Sequence, residues 1–214
     1  MEDYAKAMYS LSTRSEGVVG NNALAERLDV TPGSASAMVK RMTELGLVTH
    51  VPYRGTRLTD EGERVALEVL RHHRLLELFL AEALALPWDR VHAEAEVLEH
   101  VLSEDLEELI AAKLGDPERD PHGDPIPTRE LTIEEGNTQA LQSLETGARG
   151  VFVRVSDSDP EMLAYLSDRD ISLGMSLEVV DKQPFGGPLS VRLGDCVHTL
   201  GGRLAGAMRV EVVG

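Results

Sequence analysis

Apolar residues at Tyr4, Ala7, Met8 and Leu11 recur every three or four positions, the stripe of an amphipathic helix over Tyr4–Ser12. After a glycine-containing break at Gly17–Gly20, Asn22 is placed to cap a short helix carrying Leu24, Ala25 and Leu28. A tight turn at Asp29-Val30 leads to Thr31, a hydroxyl cap, and Pro32, tolerated at a first helical position because no N–H is needed there. The second helix runs to about Leu45, with Ala35, Val39, Met42 and Leu45 as its inner stripe, and Gly46 suits a left-handed end. Leu47–Val51 then reads as a strand, Tyr53-Arg54-Gly55 as a turn and Thr56-Arg57-Leu58 as a returning strand. Thr59-Asp60-Glu61 opens a long helix that runs to about Leu84 before Pro87. Asp89 starts another, and Ser103 caps a third that ends at Lys113-Leu114-Gly115. Residues 115–130, GDPERDPHGDPIPTRE, have loop composition. Past Gly150 the period changes to two: Val151–Val155, Leu177–Val180, Leu189–Leu193, Cys196–Leu200 and Ala207–Val213 read as strands, with a short helix opened by Asp159-Pro160.

This order predicts a mainly α chain with β, in three parts: a winged helix-turn-helix over 1–71, a helical domain with an acidic linker over 72–140, and a small antiparallel β-barrel over 148–214. Leu76, Phe79, Leu80, Val97, Val101, Leu106, Leu109 and Ile110 exceed what three short helices can cover, which predicts a homodimer. Hydroxyl and small residues at the start of the second short helix (Thr31, Pro32, Ser34, Ser36, Ala37) allow close approach to base edges. Lys40 and Arg41 on that helix, with Arg54 and Arg57 on the hairpin, would meet backbone phosphates. A helix-turn-helix that only packs, or a wing used for protein contacts, is the competing reading.

Charge at first argues the other way, since the net charge is −16. Its distribution restores the argument. Residues 1–72 hold nine Lys/Arg against ten Asp/Glu, and the remainder twelve against twenty-seven, so a polyanion has one plausible place to bind. The single cysteine, Cys196, permits no internal disulfide and reads as an inert core thiol on a strand. Neither an apolar span nor a leader pattern is present, so a cytoplasmic protein without membrane contact is expected.

The richest chemistry lies in RVHAEAEVLEHVL. His92, Glu96, Glu99 and His100 stand at relative spacings 0, 4, 7 and 8, one stripe of a helix. His73 and Glu77 repeat the one-turn spacing upstream. Nitrogen and oxygen donors converging from neighbouring helices are what a divalent transition-metal site needs. Each pair alone is more often a salt bridge on a solvated face; together they point to metal. Glu94 is at the wrong angle, and His72 and His50 read as surface residues, while His122 and His198 have no partner spacing. Trp88 reads as packing at a helix start. A metallohydrolase could use similar clusters, yet neither an HExxH motif nor a nucleophile elbow is present. A constitutive DNA-binding or scaffold protein with an acidic core is the third class, and DNA binding with and without chelator separates them.

MEDYAKAMYSL, ALAERLDVTPGSASAMVKRM, GLVTH with LTDEGE, HHRLLELFL, VHAEAEVLEH followed by LSE, and PHGDPIP together resemble the diphtheria-toxin-repressor family of metal-dependent transcriptional regulators, most closely its manganese transport regulators. The resemblance implies an SH3-like (FeoA-like) third domain and a homodimer that binds a palindromic double-stranded DNA operator when loaded with metal, without a small-molecule substrate or enzymatic activity. It implies a primary site of Asp3, Glu96, Glu99 and His100, and an ancillary site of His73, Glu77 and His92, with Asp157 and Asp159 as candidates to complete it. Carboxylates at Asp3 and Glu96 stand where the iron-responsive relatives have methionine and cysteine, which favours Mn(II), with Fe(II), Co(II) or Zn(II) as other ions and an Fe(II)-dependent repressor as the alternative. Lys6 stands where some manganese regulators have a ligating glutamate, which speaks against their closely bridged pair of ions.

Overall fold

The computed structural model describes residues 1–12 and 17–213. The chain divides into two compact units. Met1–His73, Glu99–Glu107 and Pro127–Ile133 form one; Arg74–Leu98, Glu108–Ile126 and the chain from Glu134 onward form the other.

In the first unit α1 (Glu2–Ser12) buries Ala5, Ala7 and Met8, the inner face of its stripe. Helices α2 (Asn21–Arg27) and α3 (Pro32–Glu44) follow, then an antiparallel hairpin of β1 (Val48–Val51) and β2 (Gly55–Leu58). Leu24, Val39, Met42 and Val48 join α1 in one apolar core. The Thr31 hydroxyl accepts from the Ser34 amide at 3.1 Å, as a capping hydroxyl should. Two local expectations are corrected. The α2 cap is Gly20, without a side-chain cap bond, because the helix starts at Asn21 and Asn22 already lies inside its first turn. Leu45 lies past the last turn of α3 and is 57% exposed, so the inner stripe ends at Met42.

Helix α4 (Asp60–Leu84) starts where Thr59 Oγ1 accepts from the Gly62 amide, with acids in its first turn. α5 (Trp88–Leu98) and α6 (Glu104–Leu114) follow, the latter capped by Ser103. No helix among the described residues is long and apolar enough to cross a membrane.

The β-rich end of the second unit is built from β3 (Gln139–Ala140), β4 (Arg149–Val155), α7 (Pro160–Ser167), β5 (Ser176–Lys182), β6 (Leu189–Leu193), β7 (Cys196–Leu200), α8 (Gly202–Ala207) and β8 (Met208–Val212). Its antiparallel strand order is β3-β8-β4-β5-β6-β7. This corrects the expected barrel: β3 and β7 are the two ends of an open six-stranded sheet and do not pair with each other. Phe152, Leu163, Leu166, Val179, Leu189, Val191 and Val210 fill its core. Cys196 is corrected as well, since it is exposed on the edge strand β7 and not packed among apolar neighbours.

Candidate metal centre

The first donor group is assembled within the first unit. Asp3 and Lys6 come from successive turns of α1. Glu99 and His100 do not continue α5; they sit on a tight 3-10 turn, Glu99–Val101, that begins where α5 stops at Leu98. The single helical stripe expected over residues 92–100 is therefore broken after Leu98. The tighter turn buries Glu99 and leaves His100 partly open. Asp3, Glu99 and His100 bring one ligand atom each within 4.8 Å of the others. His100 Nε2 faces Asp3 Oδ1 at 2.9 Å, and its Nδ1 meets Glu2 at 2.8 Å.

Asp3 Oδ1 is buried and receives no hydrogen bond despite that short approach. A buried carboxylate oxygen close to an imidazole nitrogen, but outside hydrogen-bonding geometry, is an arrangement that a divalent cation would suit. Glu99 already has two partners. Lys6 Nζ lies 2.6 Å from Oε1 and His73 Nδ1 2.5 Å from Oε2. Burial works against its charge, but His73 and Lys6 outweigh it and hold Glu99 below the ordinary carboxylate range. Glu96 is carried by α5, which belongs to the second unit, with His92 Nε2 at 3.7 Å.

The second donor group lies within the second unit. His92 Nδ1 is 3.1 Å from both Glu77 Oε1 and Asp157 Oδ2. Burial lowers the pKa of His92, yet Asp157 and Glu77 raise it to about 10. Asp157 lies in the turn before α7, whereas Asp159 caps that helix through the Glu161 and Met162 amides and pairs with Arg203. Of the two barrel candidates, then, Asp157 is brought to His92 and Asp159 is engaged elsewhere.

Glu77, Asp120 and His122 form a further buried cluster in the same unit. His122 is fully buried, stacks on the Trp88 indole and directs Nε2 at the Trp88 carbonyl, 2.7 Å away. A carbonyl only accepts, so Nε2 carries a proton, and Nδ1 is the nitrogen left to face Glu77. That Nδ1 lies 3.7 Å from Glu77 Oε2 without a hydrogen bond. Burial lowers the pKa of His122, but Glu77 and Asp120 raise it to about 9. Asp120 is pushed well up by burial, then by Asp124 and Glu77, and its Oδ1 accepts from the His122 and Asp124 amides. The loop is locked by Gly123, whose φ of +85° is left-handed and whose absent Cβ would stand 2.0 Å from the Val153 carbonyl.

Spacing could not find His122, because its partners Glu77 and Trp88 are remote in sequence. The signal present was a histidine among the prolines and acids of PHGDPIP. His72 was misread as a surface residue. It is buried, and with Arg71 it grips Glu107, Nε2 at 2.9 Å and Arg71 Nε at 2.5 Å.

In the helix-turn-helix, Thr31, Pro32, Ser34, Ser36, Ala37, Lys40 and Arg41 are all exposed on or just before α3. Asn21 donates to the Ser36 hydroxyl at 3.0 Å. Arg54 is exposed at the hairpin turn, while Arg57 Nε donates to the Gly17 carbonyl at 3.3 Å.

A helix-turn-helix unit joined to two clusters of nitrogen and oxygen donors defines a class, the metal-dependent DNA-binding regulator. Sequence comparison agrees along the chain. Residues 1–56 match "Iron dependent repressor, N-terminal DNA binding domain", residues 59–128 match "Iron dependent repressor, metal binding and dimerisation domain", and residues 139–212 match "FeoA domain". The chain belongs to the diphtheria toxin repressor family of metal-dependent transcriptional repressors, and is not an enzyme. It is 35% identical to the iron-dependent repressor IdeR of Mycobacterium tuberculosis over 99% of this chain and 96% of that protein. The diphtheria toxin repressor of Corynebacterium diphtheriae is 32% identical over 85% of this chain and 84% of its own. Among solved structures, a manganese-dependent transcriptional repressor in complex with manganese superposes with a TM-score of 0.93 at 40% identity, covering 99% of both chains.

Proposed function

We propose that the chain is a Mn(II)-activated repressor of metal-uptake genes that binds a palindromic operator as a homodimer through a winged helix-turn-helix. The observation that carries this reading is the all-oxygen-and-nitrogen donor set at Asp3, Glu99 and His100, with a buried Asp3 oxygen that no hydrogen bond satisfies. In the reading, Glu96 completes this primary site. His73, Glu77 and His92, with Asp157, form the ancillary site, and the Nδ1 of His122 beside Glu77 is a further donor to it. Hard carboxylates suit Mn(II), while sulfur donors favour softer ions. The manganese complex that superposes on this chain points the same way, whereas the iron-dependent relatives keep Fe(II) as the alternative activator. Exposed Val97, Val101, Leu106 and Leu109 supply apolar surface for a dimer.

A bound divalent ion would supply positive charge and fixed ligand directions. Asp3 lies on a helix of the DNA-binding domain, and its carboxylate would hold that helix to the residues around Glu99. This would shift the population toward the DNA-competent arrangement. The test is a matched titration of DNA binding with Mn(II), anaerobic Fe(II), Co(II) and Zn(II), for wild type and Asp3→Met/Glu96→Cys. Mn(II) is expected to activate wild type best, and the double substitution to move the response toward Fe(II). Equal DNA affinity in excess chelator and in excess Mn(II) refutes the metal-switch reading. A wild-type response to Fe(II) at lower free metal and equal amplitude replaces manganese with iron.

A further inference from the structure

The hairpin turn is built against local preference. Val51 to Arg54 is a β-turn closed by the Arg54 amide on the Val51 carbonyl at 3.1 Å, with Pro52 and Tyr53 as its central residues. Tyr53 has φ +62°, a conformation that turns normally give to glycine or asparagine. It gains nothing from packing in return, since its side chain is fully exposed at 106% relative accessibility. A bulky residue in a left-handed conformation with an exposed ring costs stability twice over, and such violations of local rules concentrate where function needs them.

The rest of the hairpin is fastened. Val19 and Thr56 exchange backbone hydrogen bonds of 2.8 and 2.9 Å, and Thr56 is buried. Gly55, at φ +134°, lies so close to Val19 that a Cβ would come within 2.3 Å of its carbonyl oxygen. The turn is therefore displayed from a fixed base, with Arg54 next to Tyr53 in sequence. It lies within the stretch that matches the DNA-binding domain of the family.

We propose that Tyr53 is a DNA-contacting residue whose ring packs on the sugar faces lining the minor groove beside the half-site, with Arg54 on the adjoining phosphate. Deoxyribose offers an apolar face that every sequence shares, and a rigid aromatic ring with two side-chain torsions covers it at low entropic cost. Tyr53 therefore adds affinity without reading sequence, and it does so by a contact that salt does not screen. This inference rests on the DNA-binding reading above and names a new residue within it.

The experiment compares wild type with Tyr53→Gly, Tyr53→Asn and Tyr53→Phe, all Mn(II)-loaded. The probe is a duplex selected from a random library by the wild-type protein, titrated over a range of salt. Tyr53→Gly and Tyr53→Asn are expected to unfold about 2–4 °C higher than wild type. Both should bind DNA about tenfold more weakly, with an unchanged salt slope because no cation is lost. Tyr53→Phe should bind like wild type. Wild-type affinity in the Gly and Asn variants overturns the proposal. A loss in Tyr53→Phe as large as in Tyr53→Gly also overturns it, because the hydroxyl and not the ring would then make the contact. Failure of wild type to select any duplex in either Mn(II) or anaerobic Fe(II) refutes the DNA-binding reading itself and is recorded before any variant is compared.

Discussion

Raising the pH should strengthen Mn(II) binding at the Glu77–His92–Asp157 group, and the structure sets the slope. His92 titrates at about 10 and His122 at about 9, so without metal both imidazoles are protonated at neutral pH. Near pH 7 the deprotonated forms amount to roughly one molecule in a thousand and one in a hundred, respectively. An ion that takes nitrogens from both rings must expel both protons. Its apparent affinity should then rise about a hundredfold per pH unit up to pH 9 and about tenfold from there to 10. The sign for stability is opposite. A raised histidine stabilises the fold fully below its unfolded pKa and loses that contribution as pH climbs through its folded value. The metal-free protein should therefore lose thermal stability between pH 6.5 and about 10, a window in which Mn(II) protects progressively more. Calorimetric titration with Mn(II) in two buffers of different ionisation heat counts the protons released. An Asp3→Ala background silences the other donor group. About two protons are expected in that background and about one after His122→Gln. Release of none, or an affinity flat from pH 6.5 to 9, would show that neither imidazole meets the ion.

Three further outcomes are expected. Lys6→Met removes the ammonium group from buried Glu99 and should destabilise the metal-free protein by about 1–3 kcal/mol, a deficit that Mn(II) shrinks in paired thermal melts. Gly123→Ala forces a methyl onto the Val153 carbonyl at a left-handed φ and should cost about 3 kcal/mol, measured by urea unfolding, while weakening metal uptake because His122 moves with the loop. Arg54→Ala should lower DNA affinity evenly across sequences and reduce the salt slope by about one, whereas substitutions at Ser34, Ser36 or Ala37 should change the preferred sequence.

Much of this architecture was legible because local signals agreed with the fold. Thr31-Pro32, Thr59 and Ser103 mark helix starts by capping chemistry that does not depend on distant residues. Strands β6 and β7 follow directly from alternation bounded by Gly194 and Gly201. Spacing also brought out the residues around Glu99, even though the helix carrying them ends one residue too soon for a single stripe. What stayed hidden depends on tertiary contact. His122 acquires its role from Trp88 and Glu77, and His72 from Glu107, thirty-five positions away in sequence. Sheet closure was equally out of reach, since alternation fixes which residues face inward but not whether the last strand meets the first.

The Lys6–Glu99 contact gives the resting protein an unusual thermodynamic footing. An ion arriving at the proposed Asp3, Glu99 and His100 site would not fill a void; it would displace an ammonium group tethered to the same chain. Such a centre behaves like an ion-exchange resin, whose response is governed by the ratio of two cations' affinities for one carboxylate. The tethered cation has a fixed local concentration that dilution cannot change. The metal level at which half the protein is loaded is then written into the length and reach of a lysine side chain, and could be reset by shortening it without touching a single ligand.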